Sequence, residues 1–368
     1  MKCLITVSDL CLGIQPGATA ELEIEGVPEL TEKECYLEIS FTLASSTNWA
    51  KSGYELAFGQ IPLIPAPTFS HLKCLGSPTT PQCKQITPQI LEITSSKGVK
   101  WKFNIVHGTV SSWSHSGNEL LASPGPVLDF YRAETDNDYP SDFGKSWTHI
   151  FLHQTKCHVR SVSWTQNSQN VTISVSTRIA PPVFEWSVDT VITYTFTSQH
   201  LSIKVVGTPK GQNVPPTFAR IGLTFSLNDV SSATWFGRGP GESYRDKKLS
   251  QKIGTYTLPT ENLFTSYEFP QEGGNRTDTR WVELKGKKGG LKAYFGDLQE
   301  ASFSASHYAT KDVDESKHPY ELYKKKKEQT LVRLDWAHHG IGTGSCGPAT
   351  RPEYELRSGK FEYEVLLA

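Results

Sequence analysis

Three stretches hold residue types able to do chemistry. Glu134-Thr135-Asp136-Asn137-Asp138 packs three carboxylates into five residues and runs on through Tyr139-Pro140-Ser141-Asp142-Phe143-Gly144. Such oxygens can hold a cation or line a sugar site; the plain alternative is a solvated acidic turn. An EF-hand loop does not fit, because Pro140 or Ser141 stands where that loop needs its sixth-position glycine. Trp235-Phe236-Gly237-Arg238-Gly239-Pro240-Gly241-Glu242-Ser243-Tyr244-Arg245-Asp246 has the glycines of a phosphate loop. It lacks the G-x-G-x-x-G spacing and the following Lys-Ser/Thr. A tight turn packed by Trp235 and Tyr244 is the expectation there. His338-His339 near Cys346 suggests zinc. Neighbours on a strand point to opposite faces, however, so one packed and one exposed histidine is expected.

No Gly-x-Ser-x-Gly elbow is present, which removes that class of serine hydrolase. A glycosidase needs two carboxylates about 5–5.5 Å or about 6.5–9.5 Å apart, and local sequence cannot pair the acidic residues here. The elements that must position these groups read as strands. Tyr36–Leu43, Val171–Ser176, Ile192–Phe196, Leu201–Val205 and Phe361–Val365 alternate apolar and polar residues, the pattern of a strand with one buried face. No long amphipathic helix is patterned, so the fold class is all-β, built of sandwiches. Prolines 62, 65, 67, 78, 81 and 88 mark an extended connector, because proline cannot donate to a sheet ladder. It separates about sixty N-terminal residues, fewer than the roughly 100 of a complete Ig-like sandwich, from a much larger C-terminal part.

The chain has 368 residues, with 37 Lys+Arg against 38 Asp+Glu and a net charge of −1. That balance argues against a generally basic nucleic-acid binder. No run approaches the roughly 18 apolar residues of a membrane span, and Ser8 and Asp9 break the N-terminal apolar stretch before a signal core forms. A cytoplasmic protein is expected. Seven cysteines without CxxC spacing fit reduced thiols, with a Cys74–Cys83 disulfide as the minor alternative.

Taken together, the motifs go further. Trp49-Ala50-Lys51-Ser52-Gly53-Tyr54-Glu55-Leu56-Ala57-Phe58-Gly59-Gln60 resembles the end of the fourth domain of large family 2 β-galactosidases. Phe130-Tyr131-Arg132-Ala133-Glu134-Thr135-Asp136-Asn137-Asp138 is similar to that family's F-x-R-A-x-x-D-N-D block. Ala219–Leu223, Trp235–Tyr244, Phe269–Trp281, His318–Leu322, Gly340–Pro348 and Pro352–Tyr354 follow in the family's order. The resemblance implies a partial Ig-like β-sandwich over 1–64 and a Pro-rich linker over 65–88. Residues 89–368 would then form a small-chain supersandwich, similar in fold to galactose mutarotase. The first strands of the Ig-like domain, and the (β/α)8 barrel with the family's acid/base and nucleophile glutamates, are expected to lie outside the chain.

No catalytic residue is therefore assigned, and the chain alone is expected to be inactive. By resemblance, Asp136, Asn137, Asp138, Tyr139, Ser345 and Cys346 lie at the substrate edge of an active site completed by another chain or region. The loop Tyr139–Gly144 is the part implied to move with substrate. Cys346 stands where some members carry a tryptophan, so Trp336 is a candidate to supply the aromatic platform. No metal is assigned to this chain; Mg and Na are expected for the assembled enzyme, with Na-binding carbonyls near Phe269-Pro270 implied by the family. The expected partners are a barrel-bearing chain, or the missing N-terminal region, and a galactoside, with no nucleic acid and no membrane. A truncated form of a full-length enzyme, and a stand-alone carbohydrate-binding module or mutarotase-like epimerase using His153, His158, His307 or His339, stay open as alternatives.

Overall fold

The computed structural model describes residues 13–21, 23, 34–64, 80–139, 147–295 and 300–368. The chain divides into two compact units, Met1–Thr68 and Phe69–Ala368. In the first, β1 (Cys35–Thr42) and β2 (Glu55–Ile64) form an antiparallel ribbon. Its register sets Leu37, Ile39 and Phe41 opposite Ile61, Gly59 and Ala57, so one face of the ribbon is apolar, as the alternating sequence requires. Phe41 and Ile61 on that face are exposed.

The second unit begins with β3 (Gln82–Thr87), β4 (Ile90–Thr94), β5 (Val99–Asn104), β6 (Thr109–His115) and β7 (Asn118–Glu119), which form a five-stranded antiparallel meander. β3 lies inside the stretch read as connector. Pro81 and Pro88 flank it, and no proline interrupts Gln82–Thr87, so its amides are free to pair with β4. There follow β8 (Val127–Asp129), β9 (Lys156–Gln166), β10 (Val171–Ala180), β11 (Ser187–Phe196), β12 (Leu201–Lys210), β13 (Arg220–Leu227), β14 (Ser232–Gly239) and β15 (Lys252–Pro259). The last strands are β16 (Trp281–Gly286), β17 (Gly289–Tyr294), β18 (Ser302–Ser306), β19 (Thr330–His338) and β20 (Phe361–Leu367). Between β18 and β19 sit two single-turn helices, α1 (Thr310–Asp314) and α2 (Pro319–Tyr323).

One layer of the sandwich is a nine-stranded sheet in the order β15-β14-β16-β17-β20-β12-β11-β10-β9. The opposing layer is the meander together with a four-stranded sheet, β18-β19-β13-β8. Ring contacts join the layers: Trp101 of β5 meets Phe196 of β11 at 5.4 Å, and Trp235 of β14 meets Phe303 of β18 at 5.5 Å. The period-two stretches at 171–176, 192–196, 201–205 and 361–365 all lie in this large sheet, with Val171, Ile173 and Val175 pointing into the core.

Trp235 shows what the glycine-rich stretch does. The indole lies within β14, which takes residues 235–239 into the sheet, while the expected tight turn is found farther on at 245–246, closed by Tyr244 and Lys247. Trp235 is fully buried, donates Nε1–H to Arg238 O at 2.9 Å, and packs on Tyr256 and the Arg276 guanidinium. Gly237 is required because a side chain there would strike the backbone of Thr279. Truncating a buried tryptophan costs about 3–5 kcal/mol. Trp235→Ala is therefore expected to lower the urea-unfolding free energy by that amount; a loss below about 1 kcal/mol would show that the layers do not depend on it.

Candidate functional site

The acidic stretch follows β8, and the side chains of Asp136, Asn137 and Asp138 have three different fates. Asp138 is buried and bonded within its own turn. Its Oδ2 accepts from Arg132 Nη1 (2.7 Å), Thr135 N (2.6 Å) and Thr135 Oγ1 (2.8 Å), while Oδ1 accepts from Arg132 Nη2 (3.1 Å). A solvated acidic turn is thus the wrong picture for Asp138, because a carboxylate with four donors around it needs no water. Asp136 is exposed and reaches the segment before β16: Gln271 Nε2 donates to its Oδ2 (3.1 Å), and its own N–H donates to Gln271 Oε1 (3.2 Å). Asn137 reaches the loop after β19. Its Nδ2 donates to Gly342 O (3.0 Å), and its Oδ1 accepts from Ser345 N (3.0 Å) and Ser345 Oγ (2.7 Å).

That loop is held a second time at its base. Asp246 accepts from Ile341 N (3.1 Å) and Gly342 N (2.7 Å). Gly342 has φ +61, and a side chain there would press on Thr350 N, so glycine is demanded twice over. Glu242 anchors the neighbouring segment by accepting from Lys247 Nζ (2.8 Å), Gly274 N (2.9 Å) and the Tyr267 hydroxyl. Burial opposes ionisation of Glu242, but these donors outweigh it and hold its pKa below the usual range. Burial and the same carboxylate push Tyr267 up to about 12.

Beneath the loops both histidines are buried, against the expectation of one exposed. Tyr244 covers His338 at 5.2 Å and Trp147 covers His339 at 5.3 Å, so each face of the strand end has its own lid. His338 Nε2 stands 3.8 Å from Glu272 Oε1, an ion-pair distance and too long for a hydrogen bond. Burial raises the Glu272 pKa, but His338, Arg333 and Arg132 outweigh it and bring the carboxyl down to about 2. His339 takes the Leu356 N–H on Nδ1 (3.1 Å) and is pushed down to about 2, mainly by burial and then by Arg132, which keeps it neutral. Asp314 in α1 shifts the other way. Although the residue as a whole is exposed, burial of its carboxyl and then the Glu134 charge raise it to about 7, against a Tyr131 hydrogen bond that lowers it.

Comparison with known proteins decides the family. Residues 95–367 match the family described as beta galactosidase small chain, and residues 5–64 match beta-galactosidase domain 4. The chain belongs to the β-galactosidase small-chain family. It is 32% identical over 360 residues to the β-galactosidase of Kluyveromyces lactis, a match covering 93% of this chain and 33% of that protein. It is 28% identical to the β-galactosidase of Photobacterium profundum, covering 97% of this chain and 35% of the relative. The chain thus spans about a third of the length of these relatives. A solved galactose mutarotase-like protein from Lactobacillus casei aligns with a TM-score of 0.40 at 12% identity, over 76% of this chain and 99% of that one.

In this small-chain domain the six residues expected at the substrate edge fall into two sets. Asn137 and Ser345 are in direct contact, and Asp136 and Cys346 are exposed beside them in the same loops. Tyr139 is 45% exposed and bonds to Glu134, and Asp138 is sealed beneath. Residues 140–144 of the loop implied to move lie outside the described residues, as does Cys74; Cys83 carries a free thiol. Trp336 is half-buried and packs in the sandwich, 6.2 Å from Tyr363 with the rings 7° from parallel, and 5.9 Å from Phe361. Of the candidate histidines, His153 is exposed and packs on Tyr131, His307 bonds Gln329 O at 3.2 Å, and His158 is exposed on β9. Among the described residues, histidine approaches a carboxylate within 4 Å at His338–Glu272 and at His318–Glu321. Sequence reasoning named His338 only beside His339 as a zinc candidate and assigned no role to Glu272, Gln271 or Asp246, although all four sit inside or beside the matching motifs.

Among the described residues no group of three or more His, Cys, Asp or Glu is arranged to hold an ion. The Phe269 carbonyl accepts from Gln271 Nε2 at 3.0 Å.

Two carboxyls with opposite shifts make a pH experiment. Glu272 is depressed, so its contribution is present above about pH 4.5 and is lost as pH falls towards 2. Asp314 is raised, so its contribution is present below about pH 4 and is lost as pH rises through 7. Stability–pH curves should therefore differ from wild type between about pH 2 and 4.5 for Glu272→Gln, and between about pH 4 and 7 for Asp314→Asn. Parallel curves for either variant would contradict the assignment.

Proposed function

We propose that this chain supplies the sugar-facing edge of a β-galactoside-hydrolysing site whose acid and nucleophile carboxylates are carried by a barrel-bearing chain or region. The observation that carries the reading is the junction of the D-N-D turn with the loop 341–348, which presents Ser345 and Cys346 to solvent from a fixed base. Asp136, Tyr139 and Ser345 are the proposed hydrogen-bonding contacts to a galactoside, with Cys346 beside them and Asn137 and Asp138 holding the edge in place. A thiol at position 346 cannot stack on a sugar ring as an aromatic side chain would, so hydroxyl and carboxylate contacts dominate recognition here. Lengths near a third of the relatives support the need for a second component. Free thiols at Cys35, Cys83, Cys157 and Cys346 suit a reducing, cytoplasmic setting.

No helix among the described residues is long and apolar enough to cross a membrane. Of the two His–carboxylate pairs, His338–Glu272 is sealed, with side chains 2% and 8% exposed, and His318–Glu321 is an exposed ion pair between residues three apart at the start of α2, so neither favours the mutarotase-like alternative over the first reading.

The test is complementation. The pure chain should leave o-nitrophenyl β-galactoside intact, and activity should appear when a β-galactosidase large chain lacking this region is added. Ser345→Ala should then raise KM several-fold, with the chain still bound. Hydrolysis by the pure chain alone, or no gain on mixing with a large chain that binds it, would overturn the proposal.

A further inference from the structure

We infer that Asn137 is a positioning residue that couples the D-N-D turn to the loop 341–348, so that the two loops keep one relative placement. The side chain offers one donor pair and one acceptor, and both ends are spent on this loop: Nδ2 on Gly342 O at 3.0 Å, Oδ1 on Ser345 N and Oγ at 3.0 and 2.7 Å. The contacts span 205 and 208 residues of sequence, so nothing local enforces them. Asp246 fixes Ile341 and Gly342 from beneath. The outer part of the loop, where Ser345 and Cys346 are exposed, closes on itself through Thr343 N–H and Oγ1 on Pro348 O (3.2 and 3.0 Å) and Cys346 N–H on Thr343 O (3.1 Å), and Asn137 ties it to the D-N-D turn. On the other side of the turn, Asp136 is tied to Gln271 by two hydrogen bonds, so neighbouring residues of one turn hold two separate segments.

Asn137 thus acts through Ser345. The sugar-facing purpose of this coupling rests on the function proposed above, whereas the coupling itself can be read without sugar or partner. Amide hydrogen exchange on the full chain tests it. In Asn137→Ala the Ser345 amide should exchange about tenfold faster, the loss of one hydrogen bond, while Ile341 and Gly342, held by Asp246, and Val175 in the core keep their wild-type rates. Asn137→Asp keeps the oxygen acceptor and should restore the Ser345 rate to near wild type, a rescue that a general loosening of the fold would not give. Ser345→Ala, a change at an exposed side chain, should shift the Asn137 side-chain amide resonances. Unchanged Ser345 exchange in Asn137→Ala, equal acceleration in the Asp variant, or an unmoved Asn137 resonance in Ser345→Ala would each overturn the inference. None of these outcomes depends on galactoside hydrolysis, so failure of the coupling and failure of the proposed function remain distinguishable.

Discussion

The loops of this domain depend on a buried ion pair. Arg132 and Asp138 are both sealed from solvent and joined by two hydrogen bonds, with the guanidinium 5.1 Å over the Trp147 ring. Taking two charges out of water is expensive, and the pair persists only where geometry is good and the remaining hydrogen-bonding capacity is used. Asp138 meets that demand by also collecting the Thr135 N–H and hydroxyl, and Arg132 meets part of it by donating Nη1–H to Ala133 O at 3.0 Å, its Nε having no partner among the described residues. The consequence is a turn that cannot drift. Asp136 and Asn137 project from a fixed base, and each captures a different segment.

The same solution recurs one layer deeper. Arg220 at the start of β13 donates Nε–H to Asp335 Oδ1 of β19 at 2.9 Å, and both are buried. The pairing of these strands shifts register between Ile221 and Gly222. At Gly222 any side chain would collide with the Asp335 carboxylate, so glycine makes the room the ion pair needs. Arg333 and Glu272 extend the charged interior towards His338. The end of β19 that feeds the loop 341–348 is thus set by electrostatics as well as by sheet pairing. Apolar ring contacts hold the two layers together elsewhere.

The architecture was legible from residue order because strands carry a local code. β10 alternates buried and half-buried positions over most of its length, matching the alternation of Val171–Ser176. The code fails where side chains are absent or proline dominates: glycines disguised the end of β14 as a turn, and flanking prolines hid β3. The site was legible only as a set of motifs. Nothing in Glu134–Asp138 says which carboxylate is buried, although Arg132, six residues before Asp138, was a usable clue. Asn137 and Ser345 were both named, but their contact closes a span that local pattern cannot bridge. Adjacency of His338 and His339 implies opposite faces, as found, but says nothing about what covers each face, and both are covered.

A double-mutant cycle on Arg132 and Asp138 is the most direct test, read as urea-unfolding free energies of Arg132→Met, Asp138→Asn and the combined variant. Removing one partner of a buried pair costs about 3–5 kcal/mol because the other charge is stranded. The double variant should then cost little more than either single, with a coupling above about 1 kcal/mol. Losses that add to within about 0.5 kcal/mol would mean that the two residues act independently and that the pair does not anchor the turn.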